Sequence, residues 1–422
     1  MNSALDLFAS RFAPPALEKG GAVAISSLTG ASDAFLALTL AMRPSASVRD
    51  CGIVLAVAPG LPDADRLVDD LRLLSTPEKG LKSGEPGNAA AAVRILEFPP
   101  LLGGDKNALG IRLKTISAIK AWGLSPYPCV IVAAYSALST PIPTGTVPAI
   151  SLGTVPQNSG TVPAKTAKSP GTVPIGFGDI CEKLAKIGYN RVPTVEQAGD
   201  YSVRGGIVDA WSPGEEFPVR AEFFGDDLES LRYFDAATQR SIERIDNATL
   251  LPVAETVADD APSCSLLQLL PRGSTLLALE HNEYSISTLT SNATDGRDEN
   301  HEGPSKFVFT GDPAPRGVPT YSFQTSPLPG FAELGADEAH HPELFDAARK
   351  RLEKHVEAAE RRGDVILRLD DLSGGFELVA QDAKRQGHGL LVVTKSDRVF
   401  AKKKFHMRGT NAALAQGAHS GL

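Results

Sequence analysis

The sequence predicts an α/β fold. A parallel sheet in a degenerate P-loop-type first domain is interrupted by an α+β domain with an antiparallel meander, and a small α/β third domain follows. Three observations carry this. Short apolar runs at Gly21–Ile25, Gly52–Ala58, Val93–Phe98 and Cys129–Ala134 alternate with helix-length segments, the pattern of parallel strands covered on both faces. Between Gly199 and Asp235 the period drops to two and turn residues recur, the mark of short antiparallel strands. Towards the carboxy terminus, a helix-forming run at Pro342–Arg362 precedes two more apolar strands.

In chain order, Ala4–Phe12 reads as a short amphipathic helix stopped by Pro14-Pro15. The strand Gly21–Ile25 runs through a turn at Thr29, Gly30 and Asp33 into a helix over Ala34–Met42. A working phosphate loop needs several glycines and a Lys that reaches the β/γ oxygens. This turn has Gly30 alone, no Lys, and the acid Asp33 at the helix start, where it opposes phosphate. It is therefore read as a degenerate nucleotide-binding turn, with no cofactor held there. Pro62–Leu74, with acids in its first turn, and Ile111–Trp122 are the next helices.

Thr140–Gly178 is low in complexity. Gly-Thr-Val-Pro occurs at 145–148, 153–156, 160–163 and 171–174. The irregular spacing excludes a solenoid, and repeated Pro opposes helix and central strand, so the segment reads as an extended, flexible insertion. Phe177–Ile187 is a helix. Tyr201–Arg204 alternates, Gly205-Gly206 interrupts as a bulge or close approach, and Ile207–Trp211 resumes. Val219–Phe224 and Leu228–Phe234 complete a meander around the turns Ser212-Pro213-Gly214 and Gly225-Asp226-Asp227. Val203, Val219 and Phe223 suit a core. Arg204 and Arg220 then fall at exposed or edge positions near Phe224. An aromatic flanked by arginines is the composition of a protein-binding hot spot. It is equally that of an ordinary half-polar sheet with Arg-Glu pairs across strands, which the pattern alone favours.

The run Gly188-Tyr-Asn-Arg-Val192, then Tyr201–Asp209, Arg220–Asp235 and Thr238-Gln-Arg-Ser241 resembles the transcription-repair coupling factors. The excision-repair protein UvrB carries a related block, but the Thr-Gln-Arg-Ser ending is that of the coupling factors. The resemblance implies a docking surface for UvrA, with Arg204, Arg220 and Phe224 as the docking residues. It also implies a first domain that has lost its nucleotide site. Complete coupling factors continue into an RNA-polymerase-binding domain and a two-part ATP-driven DNA translocase. No Walker A or helicase motif occurs in this sequence, so contacts with RNA polymerase and DNA, and any use of ATP and magnesium, are expected only of domains absent here.

The resemblance and the patterning together divide the chain. Residues 1–139 and 253–325 form the two parts of a UvrB-like first domain. Residues 140–252 form the docking domain, with its Gly-Thr-Val-Pro-rich insertion at 144–175. Residues 326–422 form a small third domain and tail. There, Asp364–Leu369 and Gly389–Thr394 are strands, and Phe376–Gln386 is read as the helix between them.

Composition bounds the rest. With 422 residues, 42% hydrophobic, the chain can bury two to four cores. A formal charge of −8 argues against broad nonspecific binding to nucleic acid. Cys51, Cys129, Cys181 and Cys264 lack paired spacing, and no third ligand joins His340-His341, so neither a metal site nor a disulfide framework is expected. No G-x-S-x-G or comparable constellation supports catalysis. Met1–Arg11 has no signal-peptide pattern and no apolar run is long enough to span a bilayer, so a cytoplasmic location with no membrane partner is expected.

Overall fold

The computed structural model describes residues 8, 21–26, 28–42, 52–75, 93–122, 126–143, 149–153, 176–253, 263–280, 304–311, 315, 317–322, 325–327, 342–369, 372–378 and 389–393. Among these, no helix is long and apolar enough to cross a membrane. The chain divides into two compact units. The larger is Pro14–Ser26 with Asp33–Ser322; the other is Met1–Ala13, Ser27–Ser32 and Phe323–Leu422. The expected helix at Ala4–Phe12 and the residues His340-His341 lie outside the described residues, apart from Phe8.

The larger unit opens with β1 (Ala22–Ser26), α1 (Ser32–Ala41), β2 (Ile53–Ala58), α2 (Leu61–Ser75), β3 (Arg94–Phe98), α3 (Lys106–Trp122) and β4 (Cys129–Ala134). All six residues of β2 and of β4 are buried, as expected of strands covered on both faces. α3 begins five residues before the expected Ile111. Asp105 caps it, its Oδ1 accepting from the backbone N–H groups of Asn107 at 2.8 Å and Ala108 at 3.2 Å. β5 (Ile142–Pro143) and β6 (Ile150–Gly153) follow. Both fall inside the segment read as an extended insertion. Ile150-Ser-Leu-Gly153 alternates buried and exposed residues and so makes a strand, which the Gly-Thr-Val-Pro repetition masks. The rest of the repeats lie outside the described residues.

The antiparallel part contains α4 (Phe177–Lys186), β7 (Asn190–Arg191), β8 (Asp200–Arg204), β9 (Ile207–Ala210), β10 (Val219–Phe224), β11 (Asp227–Phe234), β12 (Ser241–Arg244) and β13 (Asn247–Leu250). β7 to β12 make one six-stranded sheet in the order β12-β11-β10-β9-β8-β7, while β13 pairs with β6. The sequence reading of three strands is corrected here; of its two alternatives at Gly205-Gly206, a bulge or a close backbone approach, the second holds. Gly205-Gly206 is the tip of a β8–β9 hairpin, and Arg204 pairs directly with Ile207. Gly205 has φ +60°, and a Cβ on Gly206 would stand 2.6 Å from the Phe223 carbonyl oxygen. The tight hairpin turn thus needs Gly205 for its left-handed backbone and Gly206 for its space. Ile180 and Leu184 of α4 cover one face of the sheet, against Tyr201, Val208, Val219, Ala221, Phe223 and Leu231.

The chain then returns through β14 (Ser263–Cys264), which pairs with β5, and α5 (Leu266–Leu269) to β15 (Thr275–Ala278), β16 (Lys306–Thr310) and β17 (Thr320–Ser322). These last three strands join β1 to β4 in a seven-stranded, fully parallel sheet, β17-β1-β16-β15-β2-β4-β3. The chain is thus α/β, as its apolar runs predict. Strands on both sides of the antiparallel part build the one sheet. α3 also meets the turn after β9: Lys114 Nζ donates to the Gly214 carbonyl at 2.7 Å and pairs with Glu215 Oε1 at 2.9 Å.

In the smaller unit β18 (Thr325–Pro327), α6 (Pro342–Arg362), β19 (Val365–Arg368), β20 (Phe376–Leu378) and β21 (Leu390–Val393) form a sheet in the order β18-β20-β21-β19 with one long helix. Leu352 and Ala359 of α6 pack on Leu391 and Val393. The expected helix at Phe376–Gln386 is overturned at its start. Phe376-Glu-Leu378 is a buried strand, antiparallel to Leu390–Val392 and to Thr325–Pro327; pairing on both sides overrides its local helix pattern. Residues 379–386 lie outside the described residues.

Candidate docking surface

The register of the six-stranded sheet decides which side chains leave the core. Val219, Ala221 and Phe223 point inward and are buried; Arg220 and Glu222 point outward. Arg220 stands opposite Asp209, and Ser202 opposite Asp209 on the other side, so these residues share the outer face. Arg204 and Phe224 lie at one end of the sheet, beside the hairpin tips Gly205-Gly206 and Gly225-Asp226.

Asp209 is the centre of this face. Its side chain is only 1% exposed, yet it meets two arginines. Arg220 donates from Nε to Oδ1 at 2.7 Å and from Nη2 to Oδ2 at 2.9 Å; Arg204 donates from Nη2 to Oδ2 at 2.9 Å. A buried carboxylate is costly to desolvate unless it is paired and hydrogen-bonded, and this forked arrangement meets that need. The hydrogen bonds from Arg220 to Asp209 hold its guanidinium above its ordinary range, against the opposing effect of burial.

The two arginines are not equivalent. Arg220 is 17% exposed. Its other donors reach the Gln239 carbonyl at 3.3 Å and Gln239 Oε1 at 3.2 Å, and its guanidinium lies 4.4 Å from the centre of the Phe234 ring. Arg204 is 52% exposed and donates to Asp209 through one nitrogen, so most of its fork faces solvent.

Phe224 is 76% exposed, the most exposed large apolar side chain of the described residues. Its neighbours on both sides are tied to α4. Asp226, in the turn that follows, accepts from the Phe177 N–H at the start of α4 at 3.2 Å, and the buried Phe223 ring packs edge-on to Phe177 at 5.6 Å. Exposing an aromatic ring at this strand end forgoes burial worth about 2 kcal/mol or more, so the fold itself does not account for it.

Asp209 and Gln239 escape the sequence reading. Asp209 left a signal, an acid inside the apolar run Ile207–Trp211. Gln239 left none. It is a non-glycine residue with φ 59°, and it reaches Arg220 from the loop between β11 and β12.

The turn at Thr29, Gly30 and Asp33 does not cradle phosphate. The Thr29 N–H donates to Ser32 Oγ at 2.9 Å, the Ala31 N–H to the Gly374 carbonyl at 2.9 Å, and the Ser32 N–H to the Thr29 carbonyl at 3.2 Å. Gly30 has φ +58°, and the space a Cβ would take is bounded by the carbonyl oxygens of Gly374 and Gly375, each at 2.8 Å. The amides are spent on the protein itself, and carbonyl oxygens stand where an anion would need donors. Burial, with Glu280 nearby, pushes the Asp33 carboxyl up to about 7. Among the described residues no cluster of His, Cys, Asp and Glu is arranged to hold a metal ion.

The six-stranded sheet, antiparallel except for the β7–β8 pair, thus presents an exposed aromatic and an arginine pair within an α/β chain. Residues 174–255 match the family described as the UvrB interaction domain. Over this region the chain is 41% identical to the transcription-repair-coupling factor of Myxococcus xanthus across 81 residues, 19% of this chain and 7% of that protein. It is 39% identical to the transcription-repair-coupling factor of Escherichia coli K12 across 79 residues, 19% of this chain and 7% of that protein. UvrABC system protein B of Thermotoga neapolitana is 32% identical across 82 residues, 19% of this chain and 12% of that protein. The resemblance to coupling factors is therefore borne out over the interaction domain, a stretch that spans only 7% of their length.

Proposed function

We propose that this chain docks UvrA through the outer face of the six-stranded sheet, as an amino-terminal module of a transcription-repair coupling factor that recruits UvrA to stalled transcription complexes in nucleotide excision repair. The observation that carries the reading is the 76% exposed Phe224 at the same end of the sheet as Arg204, in a stretch that matches the UvrB interaction domain. Phe224 enters an apolar pocket of the partner. Arg204 offers its free donors to a carboxylate. Arg220, whose donors are taken by Asp209 and Gln239, contributes charge and holds the site in shape. In this reading the protein works in the cytoplasm, and RNA polymerase, DNA and ATP with magnesium are handled by other domains of such a factor.

A second reading, a UvrB-type ATP-dependent helicase-like subunit, draws on the 32% identity to UvrABC system protein B. The spent amides at Thr29, Ala31 and Ser32 argue against it. Co-elution with UvrA in gel filtration tests the first reading. The wild-type chain should shift into the UvrA peak and the Phe224→Ala chain should not. ATP binding by the chain would favour the second.

A further inference from the structure

The outer face carries more arginine than the docking set uses. One rung across the sheet reads Ser202, Asp209, Arg220, Arg232, Arg244, each residue directly opposite the next. Three arginines thus stand in consecutive cross-strand positions, their Cβ atoms about 5 Å apart, where like charges repel. Asp209 answers Arg220. Glu222, on the neighbouring rung, answers Arg232: its Oε2 accepts from Arg232 Nη2 at 2.6 Å and from Ser230 Oγ at 2.6 Å. Arg244 is exposed on the edge strand β12 and has no ion-pair partner among the described residues. Its neighbour Ile245 packs towards the core, which sends Arg244 to the outer face. β12 also exposes Ile242. No demand of the fold calls for a third arginine in this row.

We propose that Arg232 and Arg244 extend the docking surface from Arg220 to the β12 edge, and that the partner protein presents carboxylates along that line. The inference rests on the docking reading above and gives that partner surface its chemistry. The other anionic occupant, nucleic acid, fits this face less well. Asp226, Asp227 and Glu229 lie exposed at the Phe224 end, beside an apolar ring that phosphates do not need. Acids, the aromatic and Arg204 lie at one end, and the row Arg220, Arg232 and Arg244 runs from the middle of the sheet to its β12 edge. That order suits a protein surface of mixed and complementary charge.

The test is calorimetric titration of the full chain with UvrA at low and high salt, for the wild type, Arg244→Glu and Phe224→Ala, beside a titration with duplex DNA. Arg244 is exposed and unpaired, so its reversal leaves folding intact. Arg244→Glu should weaken UvrA binding about tenfold at low salt, with a smaller deficit at high salt. Binding that Phe224→Ala abolishes and Arg244→Glu leaves unchanged would overturn the extended surface while the docking reading stands. Absence of UvrA binding by the wild type would overturn both. Duplex DNA binding that Arg244→Glu abolishes, with UvrA binding unaffected, would assign the arginine row to nucleic acid and overturn the proposal.

Discussion

Asp209 and Arg220 oppose each other across β9 and β10 with two parallel hydrogen bonds, Nε to Oδ1 at 2.7 Å and Nη2 to Oδ2 at 2.9 Å. The acid is almost wholly buried, and the same carboxylate steadies Arg204. The proposed docking surface is therefore built on a residue that lies beneath it.

Removing that acid leaves Arg220 unmatched in a half-buried position. Asp209→Ala should destabilise the larger unit by about 3 kcal/mol, read as a lowered midpoint in urea, and should weaken docking as well. Arg204→Ala breaks only the exposed arm and should leave the midpoint near that of the wild type.

Phe224→Ala separates function from stability. The ring is 76% exposed in the free chain, so its loss should move the thermal midpoint by less than about 0.5 kcal/mol in equivalent stability. Docking should fall by roughly tenfold to a hundredfold, as for an interface anchor. A Phe224→Ala chain that melts early would show that the ring packs within the chain.

Gly110 sets two effects against each other. In an exposed helix interior, Gly→Ala stabilises by about 1 kcal/mol. Here a Cβ would overlap the Pro213 carbonyl group, and the Gly214 backbone nitrogen lies 2.6 Å from its position. Backbone cannot give way as a side chain can, so Gly110→Ala should destabilise, by about 1–3 kcal/mol. A stabilised variant would mean that α3 and the turn after β9 do not meet this closely.

Asp33 makes the larger unit sensitive to pH. Its folded carboxyl titrates at about 7 against an ordinary value of 3.8, because burial and Glu280 disfavour the charged form. The folded state thus holds a proton that the unfolded state has already lost between about pH 4 and pH 7. The stability contribution is fully present below that window and is lost as pH rises through 7, with a ceiling of roughly 4 kcal/mol. Asp33→Asn should flatten this decline and melt higher than the wild type at pH 8. A wild type whose stability rises from pH 5 to 8, unchanged by Asp33→Asn, would contradict it.

Much of the fold was legible because its signals are local. Buried runs such as Cys129–Ala134 declare parallel strands, and Pro342–Arg362 declares a helix by composition alone. Phe376-Glu-Leu378 misled because its strand state depends on partners at Thr325–Pro327 and Leu390–Val392, distant in sequence. Ile150–Gly153 was hidden by the repeats around it. Of the candidate site, the pattern alone suited an ordinary half-polar sheet, and it was the resemblance that singled out Arg204, Arg220 and Phe224. The asymmetry of the two arginines was not legible, since it depends on Gln239, which enters from a loop in a left-handed backbone conformation. The unpaired Arg244 likewise emerges only once the register places it beside Arg232.

Calorimetric titration of UvrA with the wild-type chain and with Arg204→Glu tests the central claim most directly. Arg204 is 52% exposed, but the reversal also sets a carboxylate beside the buried Asp209. Arg204→Ala, which only removes the arm, is therefore titrated alongside with its urea midpoint and should also lose affinity. Micromolar or tighter binding by the wild type, lost in Arg204→Glu, is the predicted result. Binding that Arg204→Glu leaves unchanged, or no binding by the wild type, would contradict it.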